Sequence, residues 1–184
     1  MKRKKLIVGL GNPGPTYAKT RHNAGRMLVD ELVLSQHWSP MTASKKFHSL
    51  TTSGTVGNVD VIAALPETFM NDSGLAVSTL VSFYHLQPET DVLLIYDDLD
   101  LAFGQYKISP KGPRTHNGVH DVLKRLGTHQ LTHVRLGVDD RDGKRDIPPL
   151  KYVLMPLTPQ QLDYWQTDLF PQVREDILTW LSKN

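Results

Sequence analysis

Cysteine is absent from this 184-residue chain, which excludes disulfides, thiolate metal sites and a cysteine nucleophile. Long apolar runs are missing too, and no stretch approaches the ~20 apolar residues that a membrane span requires. The basic start, Met1 to Lys5, leads only into Leu6–Leu10, interrupted by Gly9. That run is too short for a secretory leader and is followed by no small-residue cleavage signal. A cytoplasmic protein with no membrane partner is the expectation. Strong charge bias is lacking as well. The formal net charge is +2, with eight histidines, so any contact with nucleic acid has to come from a local patch. There is no G-x-S-x-G elbow, and the polar inventory favours attack by a histidine-activated water over a covalent acyl-enzyme. Internal repeats and low-complexity linkers are also absent.

What is present is an ordinary globular composition, 39% apolar and 22% charged, enough to build a core without staples. The length predicts one domain spanning residues 1–184. Leu6–Val8 and Val92–Tyr96 are apolar on successive residues, the pattern of strands covered on both faces. Residues 56–65 read as a turn at Gly57-Asn58 and a strand, with residues 47–54 as its antiparallel partner. Residues 134–138 add a short strand. Helical patterns cover 24–36, 72–86 and 118–126, the first after a candidate N-cap, Asn23, and the last stopped by Gly127. An amphipathic tail from Pro159 is expected to break near Pro171. Strands interleaved with helices predict an α/β domain, with a twisted, mixed but mostly parallel sheet sandwiched between helices. Residues 109–117 and 139–150 read as long irregular loops, which in a compact domain are functional or mobile.

Four constellations carry chemistry. Gly9, Gly11 and Gly14 have the G-x-G-x-x-G spacing of a dinucleotide site, but that site needs a helix to open at once. Pro13, Gly14 and Pro15 promise a turn instead, one that leaves Asn12 at the carboxyl end of a strand. His22 lies on a polar loop before a helix, where the helix N-terminus disfavours the imidazolium and is expected to lower the pKa. Asp97 and Asp98 follow the strand 92–96 and reach the same sheet edge, where a carboxylate can orient a histidine. With Asp100 they also form a pattern that can hold Mg²⁺. Asn71 and Asn117 each precede a predicted helix, as a helix cap or as a polar group for substrate. His116 and His120 have zinc spacing, without the glutamate or third ligand that would complete a site.

The ordered set resembles the bacterial-type peptidyl-tRNA hydrolase family. It comprises VGLGNPG at 8–14 with Tyr17, RHNAG at 21–25, PETFMN at 66–71 with Ser73 and Gly74, SFY at 82–84, DDLDL at 97–101, HNG at 116–118 and RLG at 135–137. Any one is weak; the set in this order is highly specific. The resemblance implies hydrolysis of the ester between a peptide and the tRNA 3′ end, recycling the tRNA, without metal or cofactor. It implies His22 as base and Asp97 as its orienting partner. Asn12 and Asn71 hold the peptide part, and Asn71 polarises the ester carbonyl. Asn117, with His116, positions the water or the tRNA 3′ end. Tyr17 and Met70 line the cleft, and Lys107 and Arg135 meet tRNA phosphate at the acceptor end. It further implies a monomer. The chain departs from the family at Ser109–Thr115, where a glycine-rich loop is replaced by a stiffer, more basic one. Lys111 and Arg114 are there expected to take up phosphate contacts. The match decays after Gly137, with Asp139–Asp142 in place of a basic glycine stretch, and is loose from 151 onward. The alternative reading is a non-catalytic RNA-binding protein on the same fold.

Overall fold

A computed structural model describes residues 2–144 and 146–183. Its strands are β1 (Arg3–Gly9), β2 (Thr42–Ser44), β3 (Ser49–Val56), β4 (Val59–Pro66), β5 (Val92–Ala102), β6 (Tyr106–Ser109) and β7 (Thr132–Asp139). The helices are α1 (Ala24–Ser35), α2 (Ser73–Tyr84), the short α3 (Pro88–Asp91), α4 (Asn117–Leu126), α5 (Pro149–Val153), α6 (Pro159–Tyr164) and α7 (Phe170–Ser182). One seven-stranded sheet runs in the order β2-β3-β4-β1-β5-β7-β6. Its four central strands are parallel, and β2, β3 and β6 pair antiparallel at the edges.

Period-two alternation splits the central strands between two cores. Ile7, Leu93 and Ile95 face α1 and α7, with Leu28, Leu32, Trp165 and Ile177. Leu6, Val8, Leu94 and Tyr96 face α2 and α4, with Val77, Leu80, Val119 and Val122. Because both faces are covered there, Leu6–Val8 and Val92–Tyr96 are apolar on successive residues.

The predicted elements are found with shifted ends, and two edge strands, β2 and β6, lay outside the sequence reading. Asn23 holds the N-cap position of α1, but its side chain makes no capping bond to the helix. It sits in a 3-10 turn, Arg21–Asn23, and locks onto the Asn12 backbone, accepting from Asn12 N and donating to Asn12 O, both at 2.9 Å. The tail is interrupted near Pro171, as expected: a π turn at Trp165–Leu169 separates α6 from α7, and Pro171 lies in the first turn of α7.

No helix among the described residues is long and apolar enough to cross a membrane.

Candidate active site

The β1–β5 ladder stops at Gly9↔Ile95, while β5 continues to Ala102 beside β7. Asp97 therefore has no strand on the β1 side, and the loop after β1 fills that space. The nucleotide reading of this loop fails because α1 does not open until Ala24. Gly25 brings the loop home: a Cβ there would lie 2.1 Å from Ile95 O, so only glycine lets the head of α1 sit against β5. Leu10 N donates to Ile95 O at 2.9 Å, and Arg26 N to Leu10 O at 3.2 Å.

That packing delivers His22 to Asp97. His22 Nδ1 lies 2.8 Å from Asp97 Oδ1, and His116 Nε2 lies 3.1 Å from the same oxygen. Asp97 is 2% exposed. Burial works against its charge, but the two histidines and their hydrogen bonds outweigh it and hold the carboxyl well below the usual range. An ionised carboxylate only accepts, so His22 carries its proton on Nδ1 and presents a bare Nε2. His116 is assigned at both nitrogens: Nε2–H donates to Asp97, and Nδ1 accepts from Val119 N at 3.3 Å. It is thus the N-cap of α4, a role the sequence reading had left to Asn117. With both ring nitrogens of His116 engaged, His22 is the one with a nitrogen left for a proton.

Burial opposes the charge on His22, but attraction to Asp97 and the hydrogen bond outweigh it and raise the pKa above 6.5. This reverses the lowering anticipated from the helix terminus, because a buried carboxylate at hydrogen-bond distance is a stronger field than half a helix-dipole charge. Behind the pair, Tyr96 packs its ring 5.0 Å from that of His116 and bonds His133 Nδ1 at 3.0 Å. Burial pushes His133 down to about 4, so it stays neutral.

The cleft in front of this group is ≈ 330 Å³. It is lined by His22, Asp97, His116 and Asn117, by Pro113 and Thr115 of the basic loop, and by Pro149, Leu150 and Val153. The last three belong to the segment where the family pattern fades, and nothing in the sequence pointed to them. Asn117 and Asn71 are both exposed, and only Asn117 is in the wall of this cleft. Asn12 is 8% exposed; its Oδ1 accepts from Met70 N at 2.8 Å, and it borders a neighbouring hollow with Asn23, Arg26 and Met27. Met70 is a core residue, 5% exposed, whose backbone rather than its side chain serves the site. Tyr17 stands edge-on to the exposed Phe69, with ring centroids 6.5 Å apart.

The acidic trio is not a free cation site. Asp97 is held by histidines, while Asp98 accepts from Arg135 Nε and from Asp100 N. The i, i+4 histidine pair is divided, with His116 turned into the cleft and His120 exposed. Among the described residues, His22, Asp97 and His116 are the group whose ligand atoms are close enough for a metal ion, and both contacts to Asp97 within it are already hydrogen bonds. Lys107, Lys111 and Arg114 are exposed. Arg135 pairs in register with Lys107.

The chain matches the family described as peptidyl-tRNA hydrolase over residues 6–184. It is 40% identical over 161 residues to the peptidyl-tRNA hydrolase of Aquifex aeolicus, covering 85% of this chain and 80% of that one. It is 44% identical over 143 residues to a chloroplastic peptidyl-tRNA hydrolase of Arabidopsis thaliana, covering 77% of this chain and 49% of the relative. The crystal structure of peptidyl-tRNA hydrolase from Acinetobacter baumannii superposes with a TM-score of 0.78 at 29% identity, covering 98% of this chain and 94% of that one.

Proposed function

The chain belongs to the peptidyl-tRNA hydrolase family, and from that premise we propose that it cleaves the peptide–tRNA ester by a water that His22 activates. The observation that carries this is the 2.8 Å bond from His22 Nδ1 to a buried, ionised Asp97, which leaves Nε2 as an acceptor facing the cleft. Water lying on Nε2 gives up a proton as its oxygen attacks the ester carbonyl. The imidazolium so formed is held by Asp97. Asn71 donates to the carbonyl oxygen as it gains charge, and as the tetrahedral intermediate collapses the His22 imidazolium returns its proton to the departing 3′ oxygen, which releases the tRNA 3′ hydroxyl and restores the neutral base. No bond to the protein forms. An aminoacyl ester is already activated, so a base contributing roughly 10²–10⁴-fold and one positioned donor of similar effect suffice. Asn12 and Tyr17 hold the peptide side, and Asn117 the 3′ end.

The substrate is peptidyl-tRNA, engaged at its acceptor end and 3′ CCA by a monomer in the cytoplasm. The bacterial relative supports the location, and the chloroplastic one shows that it is not uniform across the family. The RNA-binding alternative is not favoured: the relatives are named as hydrolases. The deciding experiment is hydrolysis of an N-blocked aminoacyl-tRNA by the wild type and by His22→Ala, each with and without EDTA. The expected result is a loss of about 10²–10⁴-fold in the variant and indifference to chelation in the wild type. Full activity in the variant would sink the mechanism, and a wild type silenced by EDTA would replace it with a metal-assisted one.

A further inference from the structure

The basic loop stands between two hollows. On one side is the cleft in front of His22, walled by Pro113 and Asn117. On the other is a hollow of ≈ 630 Å³, bordered by the same Pro113, by His120 and Lys124 of α4, and by His129 in the connection to β7. Gly112 seats the loop. A Cβ there would lie 3.1 Å from Cε1 of the fully buried His133, so the backbone rests directly on that ring. Pro113 is thereby fixed as the partition.

Asn117, His120 and Lys124 are three and four positions apart, so they share one face of α4. Asn117 belongs to the cleft and the other two to the hollow; between positions 117 and 124 the helix advances ~10 Å. The acid of α4 is turned elsewhere: Asp121 accepts from Gly74 N at 2.8 Å and from Arg125 at 3.2 Å. Among the described residues, no carboxylate lines the hollow.

This lining suits single-stranded RNA. The exposed Lys124, with Lys111 next to Gly112 in the chain, attracts phosphate. The rings of His120 and His129, with Leu123 and Pro113, give flat and apolar surface on which an unstacked base can lie. The substrate read above brings such a strand to this place. Its ester is on the last nucleotide of an unpaired 3′ end. With the ester at His22 and that nucleotide beside Asn117, the preceding one has to leave the cleft, and the α4 face leads past Pro113 into the hollow.

We propose that this hollow binds the nucleotide that precedes the terminal adenosine, its base against His120 and Leu123 and its phosphate at Lys124. This rests on the peptidyl-tRNA reading above. The test compares two small substrates, the N-acetyl-leucyl esters of adenosine and of the dinucleotide cytidylyl-adenosine. The expected result is a KM roughly tenfold lower for the dinucleotide ester, the scale of one stacked base, at equal kcat. His120→Ala and Lys124→Glu should erase that gain and leave the adenosine ester's kinetics unchanged; both side chains are exposed, so the fold is not at risk. Equal KM for the two esters in the wild type overturns the proposal, and so does a gain that survives both variants. A second readout does not depend on catalysis. The ring C–H resonances of His120 and His129, assigned through His120→Ala and His129→Gln, should shift saturably with free cytidylyl-adenosine and not with adenosine. No shift, or the same shift with both, rejects the site. The expected shift without hydrolysis of either ester would uphold the site and overturn the hydrolase reading instead.

Discussion

At the scale of single residues, one carboxylate oxygen organises the site. Asp97 Oδ1 accepts from two histidines, and the second bonds of those rings decide their roles. His116 spends its other nitrogen on Val119 N, whereas that of His22 is left for water. The pH consequence has a definite sign. As the base we propose, His22 works only as neutral imidazole, and its pKa is raised above 6.5, so kcat/KM should fall as pH drops through a midpoint above 6.5. In Asp97→Asn the attraction that raises the pKa is gone while burial, which lowers it, remains. The acid limb should therefore move below pH 6.5, as kcat drops by a sizeable part of the 10²–10⁴-fold that a positioned base contributes. Substrate KM should hardly change. A pH–rate profile on both proteins checks this, and an unmoved limb would remove Asp97 from the mechanism.

At the scale of elements, the loop that carries His22 is held from its far side by the C-terminal segment. Arg21, 5% exposed, donates to Pro156 O at 3.0 Å and to Asp140 at 3.2 Å. Tyr152 lies between two guanidinium groups, with Arg21 4.5 Å and Arg141 4.4 Å from its ring centre. Backbone bonds from Arg21 N to Met155 O and from Leu157 N to Lys19 O complete the clamp, at 3.2 and 2.8 Å. Arg21→Lys keeps the charge but loses the fork that reaches several acceptors at once. A stability loss of about 2 kcal/mol is expected from the unsatisfied buried acceptors, which for a chain of this length lowers Tm by roughly 5 °C. Because the clamp positions His22, kcat should fall as well; thermal unfolding and single-turnover rates measure the two effects. The neighbourhood of Arg21 and His22 was visible in the motif, but the partners of Arg21 were not. They lie more than a hundred positions away, in a segment without recognisable pattern.

At the scale of the whole molecule, a formal charge of +2 leaves tRNA attraction to a patch. Arg135 is matched by Asp98, so the exposed Lys107, its β6 neighbour, and Lys111 and Arg114 on the basic loop carry the phosphate contacts in our reading. Replacing both Lys111 and Arg114 by Ala should raise KM or Kd for tRNA and flatten log K against log salt by about 0.7–0.9 per lost contact. The rate at saturating substrate should stay unchanged. Filter binding over a salt series is the measurement, and a slope equal to that of the wild type would move the tRNA path elsewhere.

Much of this molecule was legible in its residues because the signals are local. Apolar runs at 6–8 and 92–96 mark buried strands, Gly57-Asn58 marks a hairpin, and RHNAG and HNG mark the loops that carry His22 and His116. Together they determine the α/β class, the parallel centre of the sheet and the edge at which the chemistry sits. Tertiary structure alone decided the rest, since distances between remote positions leave no trace in periodicity. It made His116 a second partner of Asp97 and a helix cap. It turned the side chain of Asn23, at the N-cap position, into a lock on Asn12, and buried Met70 in the core. It also reversed the expected shift of His22, because the field at an imidazole is set by the nearest buried charge, and only the folded chain brings Asp97 within 2.8 Å.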